Sequence, residues 1–152
     1  MTPAEPKFRS FKPDDTDGVV ALLRSNIPKY FSPPEEAELR EFLSTDHGPY
    51  YVADAGDQII AAGGIALNKD QTVSLCWGMV RSDLIGTGLG KHLTKFRIQK
   101  ALEHFGPLPL VISTSQHTQG FYQKLGFTLT QHTPDGFGPG IDICLMRLEV
   151  LS

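Results

Sequence analysis

The sequence contains little cysteine, no excess of basic residues and no long apolar run. Its two cysteines, Cys76 and Cys144, form no C-x-x-C motif and no Cys/His cluster, so neither a disulfide framework nor a metal site is expected. Lys and Arg number 14 against 17 Asp and Glu, which gives no reason to expect a nucleic-acid partner. No apolar run approaches the roughly 20 residues that a membrane span needs. The first residues do not resemble a secretory signal, so we expect a reduced cytoplasmic protein with two buried thiols and no membrane association.

The length and composition predict one folded domain over residues 1–152. A chain of 152 residues has room for one core of normal size. It can bury about 70% of the surface that its unfolded form exposes, so it needs no disulfide or metal to fold. The 40% of hydrophobic residues excludes an intrinsically disordered chain.

The spacing of apolar residues predicts the element order β-α-α-β-β-β-α-β-α-β-β. Three strands in close succession indicate an antiparallel meander, and the short apolar run 108–112 is typical of a central strand. We therefore expect an α+β fold, with a mixed, mostly antiparallel sheet and helices on both faces. The predicted strands are 8–12, 50–54, 58–67, 72–80, 108–112, 127–130 and 142–150, and the predicted helices are 13–27, 32–43, 88–105 and 118–125.

Two connecting segments carry local signals. Ser32-Pro33-Pro34-Glu35 fits a capping box at the start of the second helix. Residues 133–140 are rich in Gly and Pro and predict a long loop between the last two strands. Such a loop is typical of a lid over a small molecule, and it fits a solvated hairpin loop equally well.

The most informative segment is 79–91, in which a strand ends, three alternate glycines follow and the longest helix begins. Such glycines leave backbone N–H groups accessible, and a helix start adds unpaired N–H groups and a partial positive charge. Lys91 and Lys95 lie in the first turns, and residues 86–95 contain no acid. The segment predicts a polyanion site, and the alternative is a glycine-rich turn with solvated lysines.

Two common phosphate-binding motifs do not fit this segment. A Walker A loop needs Gly-x-x-x-x-Gly-Lys-Ser/Thr, whereas Ile85 stands at the first glycine position and His92 follows Lys91. The dinucleotide motif needs Gly-x-Gly-x-x-Gly, and the spacing here is Gly-x-Gly-x-Gly. A nucleotide-dependent enzyme is therefore disfavoured.

The segment instead resembles the signature of the GNAT (Gcn5-related) acyl-CoA N-acyltransferases. In that family a strand ending in Val leads into Arg/Gln-x-x-Gly-x-Gly/Ala at the start of a long helix. Val80 matches the valine and Gly88 and Gly90 match the two required glycines, with Gly86 at a third common position. Ile85 stands where Arg or Gln is usual, which predicts altered rather than abolished cofactor binding.

A second segment, 120–127, resembles the family's Phe-Tyr-x-Lys-Leu-Gly-Phe motif. Ser115 and Thr118 occupy positions where the family often has Asn and Ala. The element order fits the family from Phe8 onward, so the resemblance covers nearly the whole chain.

The resemblance implies acetyl-CoA as the acyl donor and direct attack by an amine in a ternary complex. An N–H group of Met79 or Val80 would polarise the thioester carbonyl, and Tyr122 matches the family's usual proton donor to the leaving thiolate. The cofactor-binding residues implied are Met79, Val80, Ile85, Gly86, Thr87, Gly88, Leu89, Gly90, Lys91, Ser115 and Thr118.

The sequence does not identify the general base. Family members often use a Glu on the third or fourth strand, but 58–67 and 72–80 contain no carboxylate. His117, Asp142 or a chain of waters could substitute. A covalent role for Cys76 is disfavoured because no neighbouring His or basic group would activate the thiol.

The acceptor site is expected opposite the cofactor, with Tyr30, Phe31 and Phe137 as candidate walls. Ordinary core aromatics are the alternative explanation of these residues. The leading hypothesis is an N-acetyltransferase that acts on a primary amine of a small molecule or peptide. The alternative is a catalytically inactive acyl-CoA-binding module, and the family makes a homodimer plausible.

Overall fold

The computed structural model describes residues 7–149 and has the element order predicted from the sequence. The predicted end of the last strand at residue 150 lies outside the described residues. None of the helices between residues 7 and 149 combines the length and hydropathy needed to cross a membrane. The strands are β1 Phe8–Ser10, β2 Tyr50–Asp54, β3 Ile59–Leu67, β4 Val73–Val80, β5 Leu110–Thr114, β6 Thr128–Gly138 and β7 Ile141–Leu148, and the helices are α1 Thr16–Arg24, α2 Glu35–Ser44, α3 Leu89–Phe105 and α4 Gln119–Lys124.

The seven strands form one sheet in the order β1-β2-β3-β4-β5-β7-β6, which confirms the predicted mixed, mostly antiparallel architecture. The only parallel neighbours among the described strands are β4 and β5. Their pairing is limited to Val73 with Leu110 and Ser74 with Val111. Beyond Ser74 the two strands therefore diverge in the middle of the sheet.

The helices cover both faces of the sheet, as predicted. Alternate residues of each strand point to opposite faces, so each face has its own apolar cluster. On one face, α1 and α2 cover a cluster that includes Leu23, Leu39 and Val52. On the other face, α3 and α4 cover clusters that include Ile65, Leu93 and Tyr122.

A β-bulge in β4 accompanies its departure from β5. The register between β3 and β4 shifts from Ala62–Met79 to Gly64–Cys76, so that Trp77 and Gly78 together face one residue of β3. An extra residue of this kind bends a strand and disrupts its pairing. The backbone of Trp77 has a φ of 45°, in the left-handed region that bulky residues rarely adopt.

Two contacts hold this strained residue in place. The buried Tyr50 hydroxyl donates a hydrogen bond of 2.9 Å to the Trp77 carbonyl. The Trp77 indole also stacks on the Phe31 ring, with centroids 6.3 Å apart and an angle of 16° between the planes. The bulge is thus fixed from the face that α1 and α2 cover.

The prediction of a loop over 133–140 is only partly right, because β6 is longer than predicted. Strand β6 continues to Gly138, and only its register with β7 is broken, between Thr133 and Gly138. Asp142 on β7 supports the hairpin, because its Oδ1 accepts a hydrogen bond from the Asp135 N–H at 3.0 Å. Residues 134–137 have no partner on β7 and Asp135 has a φ of 55°, so the ladder is interrupted here and resumes at Gly138.

The predicted capping box at Ser32 forms only in half. Glu35 Oε2 accepts a hydrogen bond of 2.7 Å from the Ser32 N–H, as the motif requires. The Ser32 hydroxyl instead donates to the Phe137 carbonyl at 2.9 Å, and the Glu35 N–H bonds the Ser32 carbonyl. Helix α2 accordingly begins at Glu35, two residues after Pro33, the first helical position that the motif predicts.

Substitution Tyr50→Phe tests how the bulge is held. It removes the hydrogen bond to the Trp77 carbonyl in a buried position, so we expect a loss of about 1–3 kcal/mol in the free energy of unfolding, measured by urea denaturation. Tyr51→Phe is the control, because the Tyr51 hydroxyl makes a longer, partly exposed contact of 3.3 Å with His104. An equal loss in both variants would contradict the role assigned to Tyr50.

Candidate active site

The divergence of β4 from β5 is accompanied by a cleft of about 580 Å³. This volume lies in the range of small-molecule binding sites. The cleft runs from the start of α2 past the bulge to the turn between β3 and β4, with β5 and the β6–β7 hairpin on its other side.

Six of the residues predicted for the site line this cleft. They are the aromatic residues Tyr30, Phe31 and Phe137, and the α4-side residues Ser115, Thr118 and Tyr122. Met79, Val80 and the segment 85–91 lie outside the lining, along the end of β4 and in the loop that follows it. The predicted residues therefore divide into a cleft group and a loop group.

Tyr122 is fixed in the cleft wall by its aromatic neighbours. The residue is 8% exposed, and its ring packs edge-on against Phe121 and Phe127, with centroid distances of 5.0 and 5.6 Å. Its N–H bonds the Thr118 carbonyl at the start of α4. Ring and backbone contacts together determine where the hydroxyl lies.

Ser115 and Thr118 build the turn that leads into α4. The Ser115 carbonyl accepts hydrogen bonds of 3.1 Å from the N–H groups of Thr118 and Gln119, and its hydroxyl accepts one of 3.2 Å from His117. The Thr118 hydroxyl is bonded to the Thr114 hydroxyl. Both residues thus orient α4, and with it Tyr122, while they line the cleft.

The glycine loop gives α3 an uncapped start. Gly88 is the N-cap residue with a φ of 94°, Gly86 has a φ of 89°, and the positions that their missing Cβ atoms would occupy have no other atom within 4 Å. The first helical bond joins the His92 N–H to the Gly88 carbonyl, so the N–H groups of residues 89–91 have no partner within the helix.

The side chains around this helix start suit an anion. The first turn of α3 contains no acid, and the Lys91 side chain is exposed there. Leu89 is buried beneath the loop, whereas Ile85 is 46% exposed. The Thr87 hydroxyl is already bonded within the loop, where it donates to the Leu84 carbonyl. The backbone rather than the side chains of the loop is therefore available to a phosphate.

The hydrogen-bond pattern separates the two candidate amides of β4. Met79 and Val80 lie opposite Ala62 and Ala61 on β3, but the Val80 carbonyl accepts its hydrogen bond of 2.9 Å from Asn26 on the α1 side. The Arg81 N–H bonds the Ile60 carbonyl, and successive residues of a ladder alternate in direction. The N–H group of Val80 is thereby directed away from β3.

The bases proposed from the sequence lie outside the cleft lining. His117 is exposed and packs against the Tyr30 ring, with centroids 5.9 Å apart. The Asp135 N–H and the His132 ring hold the pKa of Asp142 below its usual range, because both stabilise the carboxylate. Asp142 is thus a hairpin anchor and a poor proton acceptor.

The carboxylates that do line the cleft are Glu35 and Glu38 on α2, together with Asp70 in the turn between β3 and β4. Sequence analysis did not place Glu35 at the site because the residue fitted a capping box, which explained its position. Its closeness in sequence to Tyr30 and Phe31, which were predicted for the acceptor site, was the signal available.

The two cysteines occupy different environments. Cys144 is buried as predicted, whereas Cys76 is only partly buried and lines the cleft. Burial raises the pKa of the Cys76 thiol, and the charge of Arg97 opposes this shift without cancelling it. The thiol is therefore poorly suited to act as a nucleophile. Between residues 7 and 149, no three His, Cys, Asp or Glu side chains are grouped as a metal site.

Arg97 on α3 is fully buried directly behind the bulge. A Cβ atom on Gly78 would lie 2.5 Å from one guanidinium nitrogen, and a Cβ on Gly63 would lie 3.0 Å from Nε. The glycines on β3 and β4 thus leave the space that the guanidinium fills. None of its three nitrogens has a hydrogen-bond partner among the described residues.

Comparisons with known proteins identify the family. A family model described as an Acetyltransferase (GNAT) domain matches residues 16–150. Because this match covers most of the chain, the protein belongs to the GNAT acetyltransferase family. No curated protein matches the sequence.

Solved structures share the fold over almost the entire chain. A GNAT-family protein from Desulfovibrio desulfuricans has 22% sequence identity and a TM-score of 0.79, with 95% of this chain and 99% of that chain covered. An acetyltransferase from Bacillus subtilis in complex with CoA has 23% identity and a TM-score of 0.72, covering 96% and 99%. The aminoglycoside 6'-N-acetyltransferase from Enterococcus faecium has 16% identity and a TM-score of 0.74, covering 96% and 98%.

Substitution Arg97→Met tests the energetics of the buried guanidinium. An unpartnered buried charge is costly, and an apolar side chain of similar length should raise the free energy of unfolding by about 1–4 kcal/mol in denaturant titrations. Arg147→Met is the control, because Arg147 forms a partly exposed ion pair with Glu149 and its loss should change little. Destabilisation by Arg97→Met would contradict the expected cost of the unpaired charge.

Proposed function

We propose that the protein is an N-acetyltransferase that transfers the acetyl group of acetyl-CoA to a primary amine of a small molecule or peptide. The observation that carries this proposal is the cleft at the divergence of β4 and β5, with Tyr122 in its wall. The uncapped start of α3 directly after β4 supports it. Family membership supports acetyl transfer in general, and the related Bacillus subtilis structure contains CoA.

The residues present fit acetyl-CoA. The free N–H groups of residues 89–91 and the Lys91 ammonium suit the pyrophosphate, and the open space beside Gly86 and Gly88 allows close approach to the backbone. The diverging edge of β4 suits an extended pantetheine chain. When bound, acetyl-CoA supplies an acyl group activated as a thioester.

The protein groups have separate tasks in this proposal. The Val80 N–H, which points away from β3, donates a hydrogen bond to the acyl carbonyl and stabilises negative charge on its oxygen. Tyr122 holds a proton at its hydroxyl oxygen, which a departing thiolate needs. Ser115 and Thr118 contact the cofactor from the α4 side of the cleft. Ile85 is exposed, and the Thr87 N–H is bonded to the Leu84 carbonyl, so the amides of residues 89–91 are the ones assigned to the pyrophosphate.

The second candidate function is an acyl-CoA-binding module without catalysis. The absence of a carboxylate on β3 and β4 favours it. Tyr122, Glu35 and Glu38 in the cleft lining weigh against it. A homodimer and a cytoplasmic location stay predictions from the sequence.

Ligand-dependent unfolding tests the cofactor assignment. CoA and acetyl-CoA should raise the unfolding temperature, whereas ATP and NAD at equal concentrations should not, and a ligand at 100 times its Kd stabilises by about 2.7 kcal/mol. Lys91→Glu should stabilise the free protein by complementing the helix dipole and should weaken the response to CoA. Lys7→Glu makes the same charge change near the chain start and should alter neither. Equal responses to all four ligands would contradict the assignment.

Substitution Tyr122→Phe tests the proton donor. It keeps the ring in its aromatic contacts and removes the hydroxyl, so kcat should fall about 10²–10⁴-fold while the Kd for CoA stays nearly constant. Free-thiol release measures turnover and calorimetry measures CoA affinity. Tyr51→Phe, outside the cleft, should retain kcat. Undiminished turnover in Tyr122→Phe would remove this role.

A further inference from the structure

The acceptor end of the cleft carries negative charge only. Its lining includes the carboxylates of Glu35 and Glu38, and no Lys, Arg or His of residues 7–149 lines any part of the cleft. A cationic ligand is attracted to such a lining, whereas a carboxylate or phosphate on the acceptor is repelled.

Glu35 differs from the neighbouring acid on the same helix. It is 6% exposed, and its Oε2 accepts a hydrogen bond of 2.7 Å from the Ser32 N–H. Glu36 points outward and pairs with Arg24 and Arg40. No basic side chain among residues 7–149 forms an ion pair with Glu35, so its carboxylate is fixed in position while its charge is uncompensated.

Aromatic rings surround the same end of the cleft. Tyr30 and Phe31 precede α2, Phe137 lines the opposite side, and Phe31 is held by its stack on Trp77. The face of an aromatic ring attracts an ammonium ion within about 6 Å of its centroid. Carboxylates and ring faces together favour an organic ammonium group.

The hairpin closes this end of the cleft. The Ser32 hydroxyl bonds the Phe137 carbonyl at 2.9 Å, and a Cβ on Gly138 would lie 3.1 Å from the Ser32 Cβ. The start of α2 and the end of β6 are thus in direct contact. A compact molecule fits between them more readily than a peptide chain, which needs an open groove.

We propose that the acceptor is a compact cationic amine, that its ammonium group binds between Glu35 and Glu38, and that Glu35 takes the proton that this group must lose before it attacks. This inference rests on the proposed transferase function and names the acceptor class and the base.

The proton balance is complete with these groups. The free Oε1 of Glu35 takes one proton from R–NH3+, which frees the nitrogen lone pair, and Glu35 then passes the proton to solvent. The N–C bond forms as the C–S bond breaks, and a second nitrogen proton replaces the one that Tyr122 gives to sulfur. The ammonium and the thioester thus yield an amide, a free thiol and one proton in solution.

The environment of Glu35 favours this role. Burial raises the pKa of its carboxyl, the charge of Glu38 adds to the shift, and the Ser32 N–H opposes it. A carboxyl with a raised pKa accepts a proton more readily near neutral pH. The other titratable groups that line the cleft are Tyr30, Asp70, Cys76 and Tyr122.

The test compares Glu35→Gln and Glu38→Gln with Glu41→Gln, an exposed position of α2 outside the cleft. A Gln at 35 can still accept the Ser32 hydrogen bond, and unfolding temperatures verify folding. The probes are benzylamine and 1,6-diaminohexane as cationic amines, β-alanine as a carboxylate-bearing amine, and a hexapeptide with a free N-terminus. Calorimetry measures 1,6-diaminohexane binding in the presence of CoA.

The cationic amines should bind and react, and β-alanine and the hexapeptide should react much more slowly. Glu35→Gln should lower kcat at pH 7 about 10²-fold or more without changing CoA affinity. This deficit should narrow towards pH 9.5, where more amine is already unprotonated. Glu38→Gln should mainly raise KM and weaken diamine binding, and Glu41→Gln should match the wild type.

Three results would overturn the inference while leaving the transferase proposal intact. They are wild-type rates in Glu35→Gln, a deficit in that variant that is the same at pH 7 and pH 9.5, and a preference for the hexapeptide. If CoA binds but no amine binds or reacts, the inference and the transferase proposal both fail, and the acyl-CoA-binding module remains.

Discussion

The bulge at Trp77 and Gly78 is the constraint on which the rest of the site depends. A strand with an extra residue facing one neighbour cannot keep its register with the other. After Ser74, β4 follows β3 and leaves β5, and the cleft lies at this divergence. The same strand ends in Val80 and leads directly into the glycine loop. The bulge in β4 thereby determines where the glycine loop lies relative to the cleft.

The bulge is supported differently on its two faces. On one face, the Tyr50 hydroxyl and the Phe31 ring hold the strained Trp77 backbone. On the other face, the guanidinium of Arg97 fills the space left by missing side chains on β3 and β4. Burying a cation without hydrogen-bond partners destabilises the fold. The structure therefore combines backbone strain and an uncompensated charge in one place. Such costs are typical of functional regions, where the local geometry matters more than local stability.

The features that the sequence predicted well are those with local signals. Helical and strand periodicity predicted the element order, and the glycine spacing predicted an uncapped helix start at Gly88. The position of Tyr122 in the cleft followed from a motif of adjacent residues. Tyr30 and Phe31 line the cleft because they lie between two helices that cover the same face, and their role in the acceptor site stays a prediction.

The features that the sequence did not reveal depend on contacts between distant segments. The left-handed backbone of Trp77 results from register with β3 and from Tyr50, which no spacing within β4 shows. The sequence explained Glu35 as a helix-capping residue, and only the packing of α2 beside the cleft shows that its side chain also lines the cleft. The Gly and Pro residues of the last hairpin indicated a loop, but pairing with β7 holds the chain on both sides of residues 134–137.

The short β4–β5 pairing has a mechanical consequence. Two residue pairs join a four-stranded half of the sheet to a three-stranded half, so the backbone ladder across this line is shorter than those on either side. The β4–β5 junction is therefore the place where the sheet separates most easily. A molecule in the cleft contacts both halves, and its binding free energy adds to the junction with the fewest backbone hydrogen bonds. The reactants, while bound, would thus hold together the two halves of the sheet that encloses them.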